Sequence, residues 1–231
     1  MQIGALGDIH GAFDTVQDIM SRHGDVPLWV CVGDVASNEG EYFEPVAPLY
    51  WIKGNNEDFD VVAAAMAGHP PAPTLQYLRN GALHQVGSWR VAALGGTFAP
   101  SWYHTPAAAL PRSKGRKSAA ASLKLGKSRD DKRRHFVRDE VLACKSLKNI
   151  QLFLTHEAPR PFYPAGRRID AGKTALNDVL ASMQPRLHLF GHHHEFTDSA
   201  RQGVRSIGLD MVTKSYLLIN DETLRCERLD T

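Results

Sequence analysis

Residues 2–22 read QIGALGDIHGAFDTVQDIMSR, a short apolar stretch followed at once by a polar turn and a helical pattern. The first five of these residues are mainly apolar, as expected for a short buried strand. Phe13, Val16, Ile19 and Met20 then recur at helical spacing, which predicts an amphipathic helix over Phe13–Arg22. A strand that leads through a turn into a helix is the building unit of α/β domains.

The same alternation continues along the chain. Further strands are predicted at 28–32, 49–52, 150–154 and 187–190, with a hairpin of 82–86 and 89–94 around Gly87 and Ser88. Helices are predicted at 59–67, 135–147 and 173–183, and the tail from about Arg205 is expected to form a meander of three antiparallel strands. The pattern favours an α/β fold, and 231 residues fit one domain over 1–231.

Composition excludes several classes of protein. A charged fraction of 23% and a hydrophobic fraction of 43% are ordinary for a globular domain. The longest apolar stretch, 61–67, is too short to span a bilayer, so no membrane partner is expected. The N-terminal region lacks a signal-peptide pattern, and the three cysteines match no disulfide or zinc spacing, so a cytoplasmic location is expected.

Positive charge is concentrated in one segment. Residues 112–138 hold eleven Lys and Arg against two Asp, a charge of +9 that leaves −7 for the rest of the chain. Since its composition shows little apolar periodicity, we predict a basic flexible insertion at about 105–134. It is a candidate contact for RNA or another nucleic acid, with Arg133 and Arg134 on phosphates and Trp102 and Tyr103 stacked on bases. The alternative is a solvated loop without a specific partner.

Five polar segments each follow a predicted strand. They are Gly7-Asp8-Ile9-His10-Gly11, Gly33-Asp34, Gly54-Asn55-Asn56-Glu57, Thr155-His156-Glu157 and Gly191-His192-His193-His194. Ligand sites of open α/β sheets form at that edge. Imidazole, carboxylate and amide groups suit Mn, Fe, Zn, Ni or Co. A single His or Asp in a loop is usually only solvated, whereas five such segments in order indicate a metal site.

These motifs, in this order, resemble the calcineurin-like metallophosphoesterase family. The resemblance implies a four-layer α/β/β/α sandwich of two mixed β-sheets flanked by helices. It implies two divalent metal ions, with Mn²⁺ expected first, and a bridging hydroxide that attacks a phosphate ester. It also implies two ligand sets, of which the first is Asp8, His10, Asp34 and His194, and the second is Asp34, Asn55, His156 and His192.

One position departs from the family pattern. Many members have His where this chain has Asn56, and an amide can donate a hydrogen bond but cannot transfer a proton. Loss of a general acid typically costs about 10²–10⁴ in rate. Asn56 is therefore expected to contact the phosphate, to cap the next helix, or to do both, and His193 is a candidate replacement acid. We expect a preference for phosphodiesters, and we expect Glu57 to orient a neighbour of the ligands.

A finer resemblance links the chain to the RNA lariat debranching enzymes. It lies in residues 149–160, in Gly208-Leu209-Asp210-Met211 with the strand that follows, and in the helix after the basic insertion. Those enzymes have Cys in place of Asp8 and keep the His that is Asn56 here. The expected function is a phosphodiesterase acting on RNA or another nucleic acid. The alternatives are a phosphomonoesterase for phosphoprotein or a small metabolite, and a non-catalytic metal-binding interaction module.

Overall fold

The computed structural model describes residues 2–112 and 130–231. The helices are α1 (Phe13–Arg22), α2 (Phe59–Met66), α3 (Arg138–Ser146) and α4 (Thr174–Met183). The strands are β1 (Gln2–Leu6), β2 (Trp29–Cys31), β3 (Leu49–Trp51), β4 (Leu75–Tyr77), β5 (Leu83–Val86), β6 (Trp89–Leu94), β7 (Leu152–Thr155), β8 (Leu187–Phe190), β9 (Thr197–Arg201), β10 (Val204–Gly208), β11 (Ser215–Asn220) and β12 (Cys226–Asp230).

The strands form two mixed six-stranded sheets. The first has the order β12-β11-β1-β2-β3-β4, in which β1 to β4 are parallel, β11 pairs antiparallel with β1, and β12 pairs antiparallel with β11. The second has the order β5-β6-β7-β8-β10-β9, with a parallel centre and one antiparallel strand at each edge. All parallel strands of one sheet end at the same edge, so the segments that follow them can meet there.

Packing of the strands explains their apolar sequences. Successive side chains of a strand point to opposite faces. In β2, Trp29 and Cys31 belong to the apolar cluster under α1 and α2, while Val30, with Val32 directly after the strand, belongs to the cluster that joins the two sheets. Helices α3 and α4 cover the outer face of the second sheet through a third cluster that includes Phe153. The expected α/β/β/α sandwich is confirmed.

Three sequence predictions about elements were wrong or incomplete. The tail is not a single meander, because β9 and β10 extend the second sheet and β11 and β12 extend the first. Strand β4 was not predicted, since only three residues lie between a proline-rich turn and the next turn. Helix α3 begins at Arg138 and not at 135, because His135 bridges to Thr97 and the Phe136 amide donates to the Thr97 carbonyl (3.1 Å).

The basic insertion predicted at about 105–134 falls largely on residues 113–129, outside the described residues. At its two described ends, short 3-10 helices form at Ala107–Ala109 and Lys132–Arg134, and the Lys132 amide donates to the Pro111 carbonyl (2.8 Å). The buried Lys53 ammonium donates to the carbonyls of Arg133 (2.8 Å) and His135 (3.0 Å). Over residues 2–112 and 130–231, no helix combines the length and apolar character needed to cross a membrane.

Candidate metal centre

The five polar segments meet where the two sheets join. Three follow β1, β2 and β3 of the first sheet, and two follow β7 and β8 of the second. Six of their side chains form two groups, and the ligand atoms of each group lie within 4.8 Å of one another. The first group is Asp8, His10 and His194, and the second is Asp34, His156 and His192. Each group draws side chains from both sheets.

The first group is organised around a buried carboxylate. Asp8 Oδ2 lies 2.9 Å from His194 Nε2, and that nitrogen lies 3.2 Å from His10 Nε2. Burial alone would raise the pKa of Asp8, but the hydrogen bond from His194 and the nearby imidazoles hold it below its usual value. The carboxylate is therefore ionised at neutral pH and available to a cation.

The second group shares its acid with the first. Asp34 Oδ2 lies 3.6 Å from His156 Nε2 and 3.5 Å from His10 Nε2, so this oxygen stands between the two groups. The rings of His156 and His192 are 4.9 Å apart. Asn55 Oδ1 lies 3.2 Å from His156 Nε2 and adds an amide oxygen to the group.

The buried imidazole of His156 gives a test of whether a cation fits. Its Nδ1 lies 2.9 Å from the Val32 carbonyl, which can only accept, so Nδ1 carries the proton. In the neutral ring, Nε2 then directs its lone pair toward the Asp34 carboxylate. Burial lowers the pKa of His156, but Asp34 and Asp8 more than offset this and raise it. Such a cluster holds either a proton or a cation, and imidazole with carboxylate suits divalent transition metals.

Four of the candidate ligands have left-handed backbone. The φ angles are 48° at His10, 53° at Asp34, 71° at His192 and 53° at His194. Such values are uncommon outside glycine, cost about 1–3 kcal/mol each and cluster at functional sites. Hydrogen bonds between segments that are distant in sequence hold these turns, since the Asp34 carbonyl accepts from the His10 amide (2.7 Å) and the Asp8 carboxylate accepts from the His192 amide (3.1 Å). The neighbouring glycines indicated tight turns, but the left-handed backbone of the ligand residues was not predicted from the sequence, and His194 has no adjacent glycine to signal it.

Two glycines leave room for the carboxylates. A Cβ atom at Gly54 would lie 1.9 Å from Asp34 Oδ1, and a Cβ atom at Gly191 would lie 2.4 Å from Asp8 Oδ1. Real Cβ contacts essentially never fall below 3.0 Å. Each glycine is therefore required by the close approach of a ligand side chain to the backbone of a neighbouring strand end.

Glu57 ties two of the ligand-bearing turns together. Its buried carboxylate accepts from the amides of Val35 (3.1 Å), Ala36 (3.3 Å) and Gly54 (3.2 Å), and from the Tyr42 hydroxyl (2.8 Å). Burial, reinforced by Asp34, raises the pKa of Glu57 to about 7. The carboxylate thus sets the position of the Asp34 turn relative to the turn that carries Asn55.

Asn56 lies beside the ligands. Its backbone amide nitrogen donates to Asp34 Oδ1 (2.7 Å). Its side-chain nitrogen Nδ2 lies 3.3 Å from the Ala36 carbonyl and 3.4 Å from His10 Nδ1. The alternative role as a helix cap is wrong. Asp58 is the N-cap of α2, and its side chain accepts from the backbone amides at the start of that helix.

The other predicted site residues are not members of the two ligand groups, and of these His193 lies nearest, with its ring 4.8 Å from the His192 ring. His193 stacks on Phe162, with ring centroids 4.6 Å apart, and burial lowers the pKa of His193 to about 4. Tyr103 packs on Phe98 (5.1 Å), next to the partly exposed Trp102. Arg133 pairs with Asp131 (2.7 Å) and Asp60 (2.9 Å), and the carbonyl of the half-buried Arg134 accepts from the Thr97 amide.

Comparison with known proteins gives a family match over most of the chain. The calcineurin-like phosphoesterase superfamily domain matches residues 1–212. The lariat debranching enzyme of Schizosaccharomyces pombe is 26% identical over 211 residues, which are 82% of this chain and 42% of that enzyme. The chain thus spans less than half the length of this relative.

Solved structures share the fold. The protein TT1561 of Thermus thermophilus aligns with a TM-score of 0.67 at 12% identity, over 99% of this chain and 98% of its own. A novel archaeal phosphodiesterase aligns with a TM-score of 0.50 at 10% identity, over 100% of both chains.

Proposed function

The chain belongs to the calcineurin-like phosphoesterase superfamily, and from this premise we propose that it hydrolyses phosphodiesters with two divalent metal ions. One observation carries the proposal. Asp34 Oδ2 lies within 3.5 Å and 3.6 Å of imidazole nitrogens from two different groups of candidate ligands. A carboxylate in that position suits a ligand shared by two cations, and such pairs clamp a phosphoryl group.

Seven side chains would hold the ions. Asp8, His10, Asp34 and His194 would hold one, and Asp34, Asn55, His156 and His192 the other. Two bound divalent ions supply Lewis-acid activation of the phosphoryl group and a hydroxide nucleophile at neutral pH. Mn²⁺ is the first candidate, with Fe, Zn, Ni and Co as alternatives.

The residues around the ligands have supporting roles in this proposal. The Val32 carbonyl fixes the tautomer of His156, so that Nε2 stays available as a ligand atom. The His192 amide orients the Asp8 carboxylate through two contacts of 3.1 Å. Glu57 holds the Asp34 and Gly54 turns in register. No protein side chain is then required as the base that activates water.

Asn56 supports a preference for diesters over monoesters. Its neutral amide can donate a hydrogen bond to a phosphoryl oxygen but brings neither a positive charge nor a proton. A monoester dianion gains more from a cationic donor than a diester monoanion does, because the attraction scales with the charge. Replacement of a cationic donor by the neutral Asn56 amide therefore weakens binding of a monoester more than binding of a diester. The lariat debranching enzyme among the relatives is consistent with a nucleic-acid diester as substrate.

The test is a substrate panel with Mn²⁺. We expect higher kcat/KM on bis(p-nitrophenyl) phosphate than on p-nitrophenyl phosphate, and loss of both activities in Asp34→Asn. Cyclic 2′,3′-nucleotides and a 2′-5′ branched RNA would then define the class of diester. Faster hydrolysis of the monoester would identify a phosphomonoesterase. Bound metal without hydrolysis above the Asp34→Asn control would identify a non-catalytic metal-binding module.

A further inference from the structure

The connection between β7 and α4, residues 159–173, forms a compact loop, which we call the 159–173 loop. An isolated bridge between Pro159 and Lys173 closes its base. The Asp170 carboxylate braces the interior, because it accepts from the amides of Phe162 (2.8 Å) and Gly172 (2.9 Å) and pairs with Arg160 Nε (2.7 Å). A loop with close ends and its own internal packing is an Ω-loop, a class that is frequently functional.

The 159–173 loop is attached to the turn that carries two candidate metal ligands. The Phe162 ring stacks on His193, which lies between His192 and His194. Three residues further on, the Ala165 amide donates to Glu195 Oε2 (2.8 Å). These two attachments fix the loop to the turn that follows β8 and carries His192 and His194. The stacking also gives His193 a role in positioning the loop.

The tip combines exposed apolar and cationic side chains. Tyr163 is 57% exposed and Ile169 is 80% exposed, and Arg167 and Arg168 are exposed between them. Across the described residues, no acidic side chain pairs with either of these arginines. Over the whole loop, three Arg and one Lys stand against one Asp. The tip thus offers a ring face and two guanidinium groups to a ligand.

We propose that the 159–173 loop binds the single-stranded nucleotides next to the scissile phosphate, with Tyr163 stacked on a base and Arg167 and Arg168 on phosphates. This inference rests on the proposed phosphodiesterase function of the adjoining site. Aromatic rings stack on unpaired bases of any sequence, and guanidinium groups bind phosphate oxygens in a bidentate manner. A backbone held in this way would present its phosphodiester to the metal centre.

Binding of a fluorescein-labelled single-stranded oligonucleotide, measured by anisotropy in EDTA, tests the loop apart from hydrolysis. The variants are Arg167→Ala with Arg168→Ala, Tyr163→Ala and Tyr163→Phe. The matched control is the double variant Arg22→Ala with Arg225→Ala. Arg22 ends α1, about 15 Å along the helix axis from the site, and Arg225 lies in the β11–β12 turn at the opposite edge of the first sheet. Turnover of bis(p-nitrophenyl) phosphate with Mn²⁺ is measured on every variant.

In the double variant Arg167→Ala with Arg168→Ala, we expect the slope of log affinity against log salt concentration to become shallower by about 1.4. This corresponds to about 0.7 for each lost phosphate contact to a single strand. Tyr163→Ala should weaken binding about fivefold or more, whereas Tyr163→Phe should bind like the wild type. Removal of the control arginines Arg22 and Arg225 should leave the affinity and its salt dependence unchanged. Every variant should still hydrolyse bis(p-nitrophenyl) phosphate.

Three results would overturn the inference. The first is no binding of the oligonucleotide by the wild type. The second is an equal loss of affinity in the loop pair and the control pair. The third is unchanged affinity in Tyr163→Ala, because the loop would then be a general polyanion surface. Failure of the wild type to hydrolyse any phosphate ester would instead reject the proposed function, independently of the binding data.

Discussion

Substitution of Gly54 by alanine tests the candidate metal centre at its narrowest point. The added Cβ would lie 1.9 Å from Asp34 Oδ1 and 2.4 Å from the Asp34 amide nitrogen. Restoring an ordinary contact of 3.4 Å requires the carboxylate oxygen to move by about 1.5 Å. Since Asp34 is the residue proposed to join both ions, this shift would change both ligand sets at once.

The expected loss follows from the size of the displacement. A misplacement of about 1 Å in an active site can cost about 10² in rate. We therefore expect kcat/KM of Gly54→Ala on bis(p-nitrophenyl) phosphate to fall by at least about 10²-fold, with reduced Mn content by elemental analysis. Gly24→Ala is the control, because the nearest atom to its Cβ is the Ser21 carbonyl oxygen at 4.0 Å. Full metal content and more than a tenth of wild-type kcat/KM in Gly54→Ala would refute the reasoning.

Three further predictions concern metal, substrate and pH. Chelation should lower Tm by about 10–20 °C relative to protein with Mn²⁺ at 100 times its Kd, since binding at that excess contributes about 2.7 kcal/mol at each of the two proposed sites; an unchanged melting curve would argue against a metal site. Asn56→His should raise the ratio of monoester to diester turnover at least about tenfold, because a protonated imidazole attracts the monoester dianion more strongly than the diester monoanion; a constant ratio in the substrate panel would contradict this role. Burial lowers the pKa of His188 to about 3, so the unfolded chain binds a proton below pH 6.5 that the native state does not. Denaturant titrations in EDTA should therefore show that the wild type loses about 2 kcal/mol more stability than His188→Gln between pH 8 and pH 5, and equal losses would be evidence against this pKa.

Much of the framework was predictable because it depends on local pattern. Helix α1 has the bounds that its apolar spacing predicts, and the hairpin of β5 and β6 lies where a Gly-Ser turn separates two apolar runs. Strand pairing in the tail was not predictable in the same way. Whether β9 to β12 join one sheet or both depends on partners such as β1, which lies at the other end of the sequence from its partner β11.

The residue types of the candidate site were predictable from the sequence, but the backbone conformation of those residues was not. The resemblance to the metallophosphoesterase family implied that Asp8 and His194 share one ligand set, and the structure places their ligand atoms 2.9 Å apart. The left-handed turns at His10 and His192 could not be read from residue identity, because local propensity disfavours them. They persist because hydrogen bonds from other segments hold them, and those bonds exist only in the folded chain.

The position of the candidate centre between the two sheets links its chemistry to the stability of the fold. Asp8 and Asp34 come from the first sheet, while His156 and His194 come from the second, so neither sheet alone could hold an ion. The left-handed residues cost about 1–3 kcal/mol each, and attraction to a bound cation would offset that cost. Ions held there would therefore join the sheets, and the packing between the sheets, including Val32, would set the spacing of the ligands.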